Sequence, residues 1–246
     1  MVLGGVFVVD VTARDEQMFD WFRMVRVTNM DGIRWMLGTL NGTVGQVSAR
    51  NAFLWVARMS EVGLVDRARI PQARGTMVWA TPKATGMRRP DLLRQTTRHE
   101  VLVSVVSARY LNAGWGWSRD TARRDFDHQA DGAAARQGVF DLVEVELTAK
   151  RNNRYRDILR SFRERLDADP EMRVVYLCTA DAARAVRIGL DRGPGQDIAS
   201  RVYVADVFDR SGGWVGPEYP PGLFEATAPT AQTIESPSEG VGMWTR

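Results

Sequence analysis

The 246-residue chain contains little of three residue types that supply many reaction centres. Its one cysteine, Cys178, excludes an internal disulfide. The histidines are His99 and His128, and with one cysteine they cannot form a zinc site of the usual Cys and His spacing. Only Lys83 and Lys150 among the 33 basic residues are lysine. A lysine kept among so many arginines is a candidate position for a compact ammonium group.

Long hydrophobic runs are also missing. No apolar run approaches the roughly 18 residues that a membrane helix needs. Residues 3–11 are apolar but short and lack a basic flank, which is typical of a strand or an ordered arm rather than a signal peptide. We therefore expect a cytoplasmic protein with no membrane partner.

Two classes of DNA enzyme are excluded by missing motifs. There is no glycine-rich phosphate loop ending in Lys and Ser or Thr, so nothing indicates a nucleotide-driven motor. Rolling-circle relaxases need two metal-binding histidines one residue apart and a nearby tyrosine nucleophile. His99 and His128 are far apart, and none of the five tyrosines has such a companion.

Positive charge is concentrated at the front of the chain. Residues 1–96 hold 13 Arg and Lys against 8 Asp and Glu, whereas residues 97–209 hold 18 of each. Residues 210–246 hold 2 basic against 4 acidic residues. The asymmetry suits an amino-terminal module that neutralises phosphates.

The front of the chain has the pattern of three helices followed by a hairpin. Apolar residues recur three and four apart from Arg14 and again through Ile33 to Leu37. A third helix begins near Gln46 or Ser48, and the apolar residues assigned to its buried side are Phe53, Leu54, Val56, Ala57 and Met59. Strand patterns at 64–70 and 76–81 follow, which together predict a winged helix-turn-helix.

A winged helix places its third helix in the major groove and its hairpin on the DNA backbone or minor groove. Arginine and asparagine make bidentate base contacts, and hairpin arginines bind mainly phosphates. Winged helices also serve as protein-docking modules, which remains an alternative. The residues predicted to face double-stranded DNA are Ser48, Arg50, Asn51, Arg58, Arg67, Arg69 and Arg74.

The most distinctive pattern further on is the strand predicted at 140–150. Glu144 and Glu146 stand two apart, so they share one face of a sheet, and Lys150 joins that face if the strand holds for four more residues. Two acids and a lysine on one face are the layout of a divalent-metal site in a nuclease. A half-buried strand with a solvated polar face is the plainer alternative.

The elements after residue 97 predict an α/β fold with a mixed sheet covered by helices, so that the whole chain is α+β. We expect a basic helix at 152–166 with most of its arginines, Arg165 included, facing outward. The predicted divisions are a DNA-binding domain at 1–92, an α/β domain at 97–209 and an irregular Pro/Gly-rich tail at 210–246. Aromatic residues expected to anchor the tail are Trp214, Tyr219, Phe224 and Trp244.

Several motifs resemble the replication-relaxation family of actinobacterial plasmids, phages and integrative elements. They are Gly63-Leu64-Val65 before the hairpin, Arg98-His99-Glu100, the Ala-Asp-Gly turn at 130–132, and the run from Val143 through Glu146 to Lys150, Arg154-Tyr155 and Ile158-Leu159. The resemblance covers about residues 15–190. It implies a DNA-binding protein of a mobile element, with a winged helix followed by a domain similar to the PD-(D/E)xK nuclease fold.

Mapped onto that nuclease pattern, Glu100 is the acid on the first helix, Asp131 the acid before the central hairpin and Glu144 the acid on the following strand. Glu146 then occupies the lysine slot, and Lys150 lies four residues beyond it. The implied catalytic set is Glu100, Asp131, Glu144, Glu146 and Lys150, and the implied metal ligands are Asp131, Glu144 and Glu146. The chain departs from the pattern in having Ala130 where a proline is usual.

Two main hypotheses follow. In the first, the chain is a sequence-specific DNA-binding protein acting in replication, transfer or transcriptional control, and its nuclease-like domain serves for docking or for forming a homodimer. Binding then requires no cofactor. In the second, it is an endonuclease that uses Mg²⁺ to activate water and is targeted by the winged helix. A protein-interaction adaptor is the third reading.

Overall fold

The structure, a computed structural model, describes residues 10–70, 75–121 and 127–223. Residues 3–9 of the apolar amino-terminal stretch, Arg74, Phe224 and Trp244 lie outside these ranges. In chain order the elements are α1 (Ala13–Val25), β1 (Thr28–Asn29), α2 (Met30–Leu40), α3 (Ala49–Glu61), β2 (Val65–Arg69), β3 (Thr76–Ala80), α4 (Pro82–Thr85), α5 (Thr97–Asn112), β4 (Gly116–Ser118), β5 (Gly132–Arg136), β6 (Val139–Glu146), α6 (Asn152–Ala168), β7 (Met172–Thr179), α7 (Ala180–Leu190), α8 (Pro194–Ile198) and β8 (Val202–Phe208). The expected mixture of helices and strands is confirmed.

Each of the first three helices begins at a polar capping residue. Thr12 and Asp15 form a capping box at α1, while Asn29 and Ser48 cap α2 and α3 by accepting backbone N–H groups. After α3 the hairpin of β2 and β3 forms as the strand patterns predict. Strand β1 was not predicted from the sequence, because two residues are too few to show a period of two. It pairs with β3, so the antiparallel sheet has the order β1-β3-β2.

The buried side of α3 differs from the predicted one. Ala52, Trp55, Val56 and Met59 form its inner stripe at helical spacing. Phe53 and Leu54 were assigned to the core, but they lie outside that stripe and are 51% and 53% exposed. Helix α3 therefore presents apolar as well as polar side chains on its outer face.

The second sheet is mixed, in the order β4-β5-β6-β7-β8. Strands β4, β5 and β6 run antiparallel, whereas β6, β7 and β8 run parallel, with α6 and α7 in the connections. Helix α5 packs on one face against Val143, Val145 and Leu177. Helices α6 and α7 pack on the other face, against Leu142 and Tyr176. The sheet is thus covered on both sides.

This two-sided covering corrects the reading of β6 as a half-buried strand with a solvated polar face. Glu144 and Glu146 are 4% and 6% exposed and lie on the α6 and α7 side. The strand also ends at Glu146, so Lys150 follows it in a loop rather than extending it. A strand buried on both faces usually has a continuous apolar sequence, whereas β6 alternates because its two carboxylates are paired within the fold.

Strand β5 carries no strand signal in the sequence, since Gly-Ala-Ala-Ala-Arg has no β-branched or aromatic residue. It forms a hairpin with β6 through Gln137 and Gly138, whose φ angles are 50° and 85°, as a tight two-residue turn requires. At its start, a Cβ on Gly132 would come within 2.1 Å of the ring of Trp117 on β4. The small residue is needed for this close approach.

Helix α5 belongs to both cores. Ala108 packs in the cluster formed by α1, α2 and α3, while Val106 and Tyr110 pack against the mixed sheet. Buried hydrogen bonds reinforce the contact with the first sheet and its helices: Trp21 Nε1 donates to Ser107 Oγ at 3.0 Å, and Ser104 Oγ donates to Thr28 Oγ1 at 2.7 Å. Within the described ranges, no helix is long and apolar enough to cross a membrane.

The segment after β8 returns to the body of the protein. Trp214 packs edge-on against Phe208 with ring centroids 5.4 Å apart, and Tyr219 packs against Trp35 at 5.6 Å. The hydroxyl of Tyr219 also donates to Asn112 at 2.7 Å. These contacts agree with the expectation that aromatic residues anchor the tail.

Candidate functional site

The outer face of α3 and the neighbouring strand β2 form one candidate surface. Arg50 and Asn51 of α3 are exposed, as are Arg67 and Arg69 of β2. Arg67 and Arg69 share a strand face with the buried Val65, so they project on the α3 side of the sheet. The guanidinium of Arg67 stacks over the ring of Phe53 at 5.2 Å, which joins the helix and the strand into one surface.

Two residues predicted to face DNA have roles within the fold. Ser48 caps α3, accepting the N–H of Asn51 at 3.2 Å while remaining exposed. Arg58 Nη2 pairs with Asp15 Oδ1 at 2.6 Å, and Trp55 Nε1 donates to the same oxygen at 2.7 Å. Arg58 therefore ties α3 to α1 instead of lying free on the outer face.

Asp15 is fully buried, and the contacts around it favour its charged form. Burial alone would raise its pKa, but the hydrogen bonds from Arg58, Thr12 and Trp55 outweigh burial and lower the pKa from 3.8 to about 2. The Asp15 carboxylate thus completes the cap of α1 and also binds two side chains of α3.

The second candidate site surrounds the end of β6. Glu144 Oε1 lies 2.8 Å from His128 Nε2, and Glu146 Oε2 forms an ion pair with Lys150 Nζ. Both carboxylates are buried while Lys150 keeps a third of its side chain exposed. Lys150 reaches Glu146 from the loop, so the acids and the lysine come together although the strand ends before Lys150.

Asp131, directly before β5, lies at the same end of the sheet. Its Oδ2 accepts the N–H of Val145 at 2.8 Å and lies 3.1 Å from His99 Nε2. His99 Nε2 also lies 3.0 Å from the carbonyl oxygen of Val145, so a proton on that nitrogen satisfies both acceptors. Burial opposes the charged form of His99, but the hydrogen bond and charge of Asp131 outweigh it and raise its pKa.

The electrostatics of the cluster follow from burial. Burial raises the pKa of Glu144, the charge of Asp131 raises it further, and His128 and Lys150 oppose the increase. Burial likewise lowers the pKa of Lys150, against the attraction of Glu144 and Asp131. Desolvated acids beside a desolvated lysine are an arrangement found at functional sites and also in structural ion-pair networks.

A buried ion pair supports the chain segment that carries Asp131. Arg165 of α6 makes a bidentate contact with Asp120, at 2.7 and 2.8 Å, and both side chains are almost fully buried. Asp120 Oδ2 also accepts the N–H of Ala130 at 2.8 Å. Arg165 was expected to face outward, but it points inward and fixes the residue before Asp131.

Of the implied catalytic set, Asp131, Glu144, Glu146 and Lys150 come together, and Glu100 does not. Glu100 lies in the first turn of α5 and, among the described residues, makes no hydrogen bond or ion pair with the cluster. Its neighbour His99 makes the contact instead. His128 was missed as a partner because it lies 16 residues before Glu144, a separation with no local sequence signal.

In this arrangement the carboxylates are already engaged. To bind Mg²⁺ through the engaged oxygens, Oε1 of Glu144 and Oε2 of Glu146, the two carboxylates would have to exchange His128 and Lys150 for the ion. No group of three or more His, Cys, Asp or Glu side chains in the described part of the chain is placed to hold a metal ion. Asp131, Glu144 and Glu146 remain the residues with suitable ligand chemistry.

Compared with protein-family models, with curated proteins and with solved structures, the chain matches none. The resemblance to the replication-relaxation family therefore stays a prediction from the motifs.

Proposed function

We propose that this protein binds double-stranded DNA in a sequence-specific manner, through a winged helix-turn-helix formed by α1 to β3. The observation that carries the proposal is the exposed face of α3 beside the arginines of β2, within the element order α1-β1-α2-α3-β2-β3. In that order the third helix is the one that enters the major groove, with the hairpin alongside.

The chemistry of the outer face fits base reading. Arg50 can donate two hydrogen bonds to guanine, and Asn51 can bind adenine in the same bidentate manner. Phe53 and Leu54, half exposed beside them, provide the apolar surface that contacts thymine methyl groups. Arg69, further along the hairpin, would bind a phosphate in this proposal.

The motif resemblance supports a role on a mobile genetic element, in its replication, transfer or transcriptional control. In this proposal the α/β domain serves for docking or for a homodimer. Footprinting separates the roles: protection at an origin of replication supports replication, and protection over a promoter supports repression.

Replacing Arg50 or Arg69 by alanine tests the DNA surface. Arg50→Ala is expected to weaken binding to the footprinted site by about 1–3 kcal/mol and to relax the sequence preference, because a base contact is lost. Arg69→Ala is expected to weaken binding to all sequences alike and to reduce the slope of log K against log salt by about 1. Fluorescence anisotropy at several salt concentrations measures both effects.

The matched control is Arg184→Ala on α7, whose side chain is 74% exposed and forms only a weak pair with Asp181. It removes the same charge from a distant surface and is expected to leave affinity and salt slope unchanged. If Arg50→Ala and Arg69→Ala behave like this control, the surface does not bind DNA and the protein-interaction reading is favoured.

A second candidate function is a Mg²⁺-dependent endonuclease. One observation favours it: Asp131, Glu144, Glu146 and Lys150 gather at the end of β6, after a helix and a hairpin in the order of the nuclease pattern, although Glu100 of the helix does not join them. When bound, the ion would activate water and stabilise the pentavalent phosphate. Lys150, at the surface of the cluster, would approach the DNA phosphate.

Incubation of the protein with supercoiled plasmid and Mg²⁺ or Mn²⁺ tests this second function. We expect no metal-dependent nicking, with specific binding retained, because His128 and Lys150 engage the two glutamates. Glu144→Gln and Glu146→Gln are isosteric variants, and Glu171→Gln in an exposed turn is the control. Nicking that both site variants abolish and the control retains would establish the nuclease and overturn the purely binding role.

A further inference from the structure

A cavity of about 570 Å³ lies where the first sheet, α5 and the returning tail meet. One side is formed by the start of β3 and the junction of β1 with α2, and the other by α5 and the segment after β8. Neither the DNA surface nor the carboxylate cluster lines it. Its described lining includes Arg98 and Arg109, with Asp31 as the one carboxylate.

Arg109 is buried and makes no ion pair among the described residues. It is 3% exposed, and its guanidinium lies between Trp35 and Trp214, at 4.3 and 3.8 Å from their ring centroids. Nη1 donates to the carbonyl oxygen of Glu218 at 2.9 Å, while the Nε–H has no partner in the described structure. Burial lowers the pKa of Arg109 to about 10.

Arg98 is a second, partly satisfied cation, on the same face of α5 and about three turns before Arg109. Its Nη2 donates to the carbonyl oxygen of Arg210, and its Nε–H is buried without a partner among the described residues. Asp31, the acid of the lining, accepts a hydrogen bond from Gln46 and forms no ion pair with either arginine, although its charge favours the charged form of Arg109. The lining thus carries two arginines against one carboxylate, an excess of one positive charge.

The rest of the lining is largely apolar. Leu102 and Val105 of α5 face Met77, Phe208 and Trp214 around the space. A cavity of this size and character suits a small molecule with one polar group and an apolar body.

We propose that this cavity is a binding site for a small organic anion, a carboxylate or phosphate ester on an apolar ring or chain. The anionic group binds at Arg98, near the start of α5, because a guanidinium group suits both head groups. Arg109, about three turns further along α5, adds positive charge to the same lining. The apolar body packs against Leu102 and Val105. Since the cavity is independent of the α3 surface, binding there does not depend on the DNA-binding proposal.

The site also contacts the hairpin. Thr76 and Met77 line the cavity, and β3 pairs with β2, the strand that bears Arg67 and Arg69. A bound ligand is expected to slow amide hydrogen exchange in β3, because it adds packing to the root of the hairpin.

Isothermal titration calorimetry with benzoate and with phenyl phosphate tests the proposal, and the two anions distinguish carboxylate from phosphate recognition. Benzyl alcohol is the neutral probe. We expect at least one anion to bind the wild-type protein at millimolar concentration or below, and benzyl alcohol to bind at least tenfold more weakly.

Val105→Phe fills the cavity and is expected to abolish binding. Arg98→Gln, at a partly exposed position, keeps the charge test available if Val105→Phe does not fold, and it is expected to weaken binding at least tenfold. Arg184→Gln is the surface control. The proposal is overturned if neither anion binds the wild-type protein, if benzyl alcohol binds as tightly as the anions, or if folded Arg98→Gln binds like the wild type.

Discussion

Replacing Asp120 by alanine is expected to lower the free energy of unfolding by about 3–5 kcal/mol, because it leaves Arg165 as an uncompensated buried charge. The two side chains are 4% and 8% exposed and are joined by a bidentate contact. The same change also removes the acceptor of the Ala130 N–H.

Urea unfolding followed by circular dichroism measures this loss. The control is Asp197→Ala. Asp197 pairs at 2.8 Å with Arg163, which lies on α6 as Arg165 does, but the Asp197 side chain is 56% exposed. A change below about 1 kcal/mol in the free energy of unfolding is therefore expected. A double replacement, Asp120→Ala with Arg165→Leu, is expected to cost less than the sum of the single changes. Equal effects of Asp120→Ala and Asp197→Ala would contradict the assigned role.

The second large effect is expected at Asp15. Asp15→Ala removes the acceptor for the Thr12 cap, for Trp55 Nε1 and for Arg58, all at one fully buried position. A lost cap costs about 0.5–2 kcal/mol and a lost hydrogen bond to a charged group about 1.5–3 kcal/mol. A decrease of about 2–4 kcal/mol in the free energy of unfolding is therefore expected.

The pH dependence of stability identifies the carboxylate as the cause. Its pKa in the folded protein is lowered from 3.8 to about 2, so its stabilisation is fully present above pH 3.8 and is lost as the pH falls toward 2. The difference in the free energy of unfolding between wild type and Asp15→Ala should decrease over that range. Asp20→Ala, on the same helix but 62% exposed, should change stability by less than about 0.5 kcal/mol throughout. If the difference in the free energy of unfolding between wild type and Asp15→Ala stayed constant down to pH 2, the titration of Asp15 would not be its cause.

The amino-terminal elements could be predicted because each is encoded locally. The helix periods, the caps and the two strand patterns lie within short windows, so α3 and the β2–β3 hairpin were found close to their observed bounds. The misassignment of Phe53 and Leu54 has a simple cause. A helical period locates an apolar stripe, but apolar residues at its margin can fall on either side of the boundary with solvent.

The carboxylate cluster was predictable only in part. A strand period of two places Glu144 and Glu146 on one face wherever β6 sits in the fold. Which element covers that face depends on the connection through α6, which no local pattern encodes. The partnership of His128 with Glu144 and the inward turn of Arg165 toward Asp120 depend on that covering, since both contacts join segments more than 15 residues apart.

Helix α5 has a further consequence for how the protein tolerates change. From residue 101 to residue 110 every side chain is buried, because one side meets α2 and the other meets the mixed sheet. Most helices keep a solvent-facing side on which substitutions accumulate freely. Here a larger or smaller residue on one side of α5 shifts the backbone against the other side, so few substitutions are tolerated between residues 101 and 110.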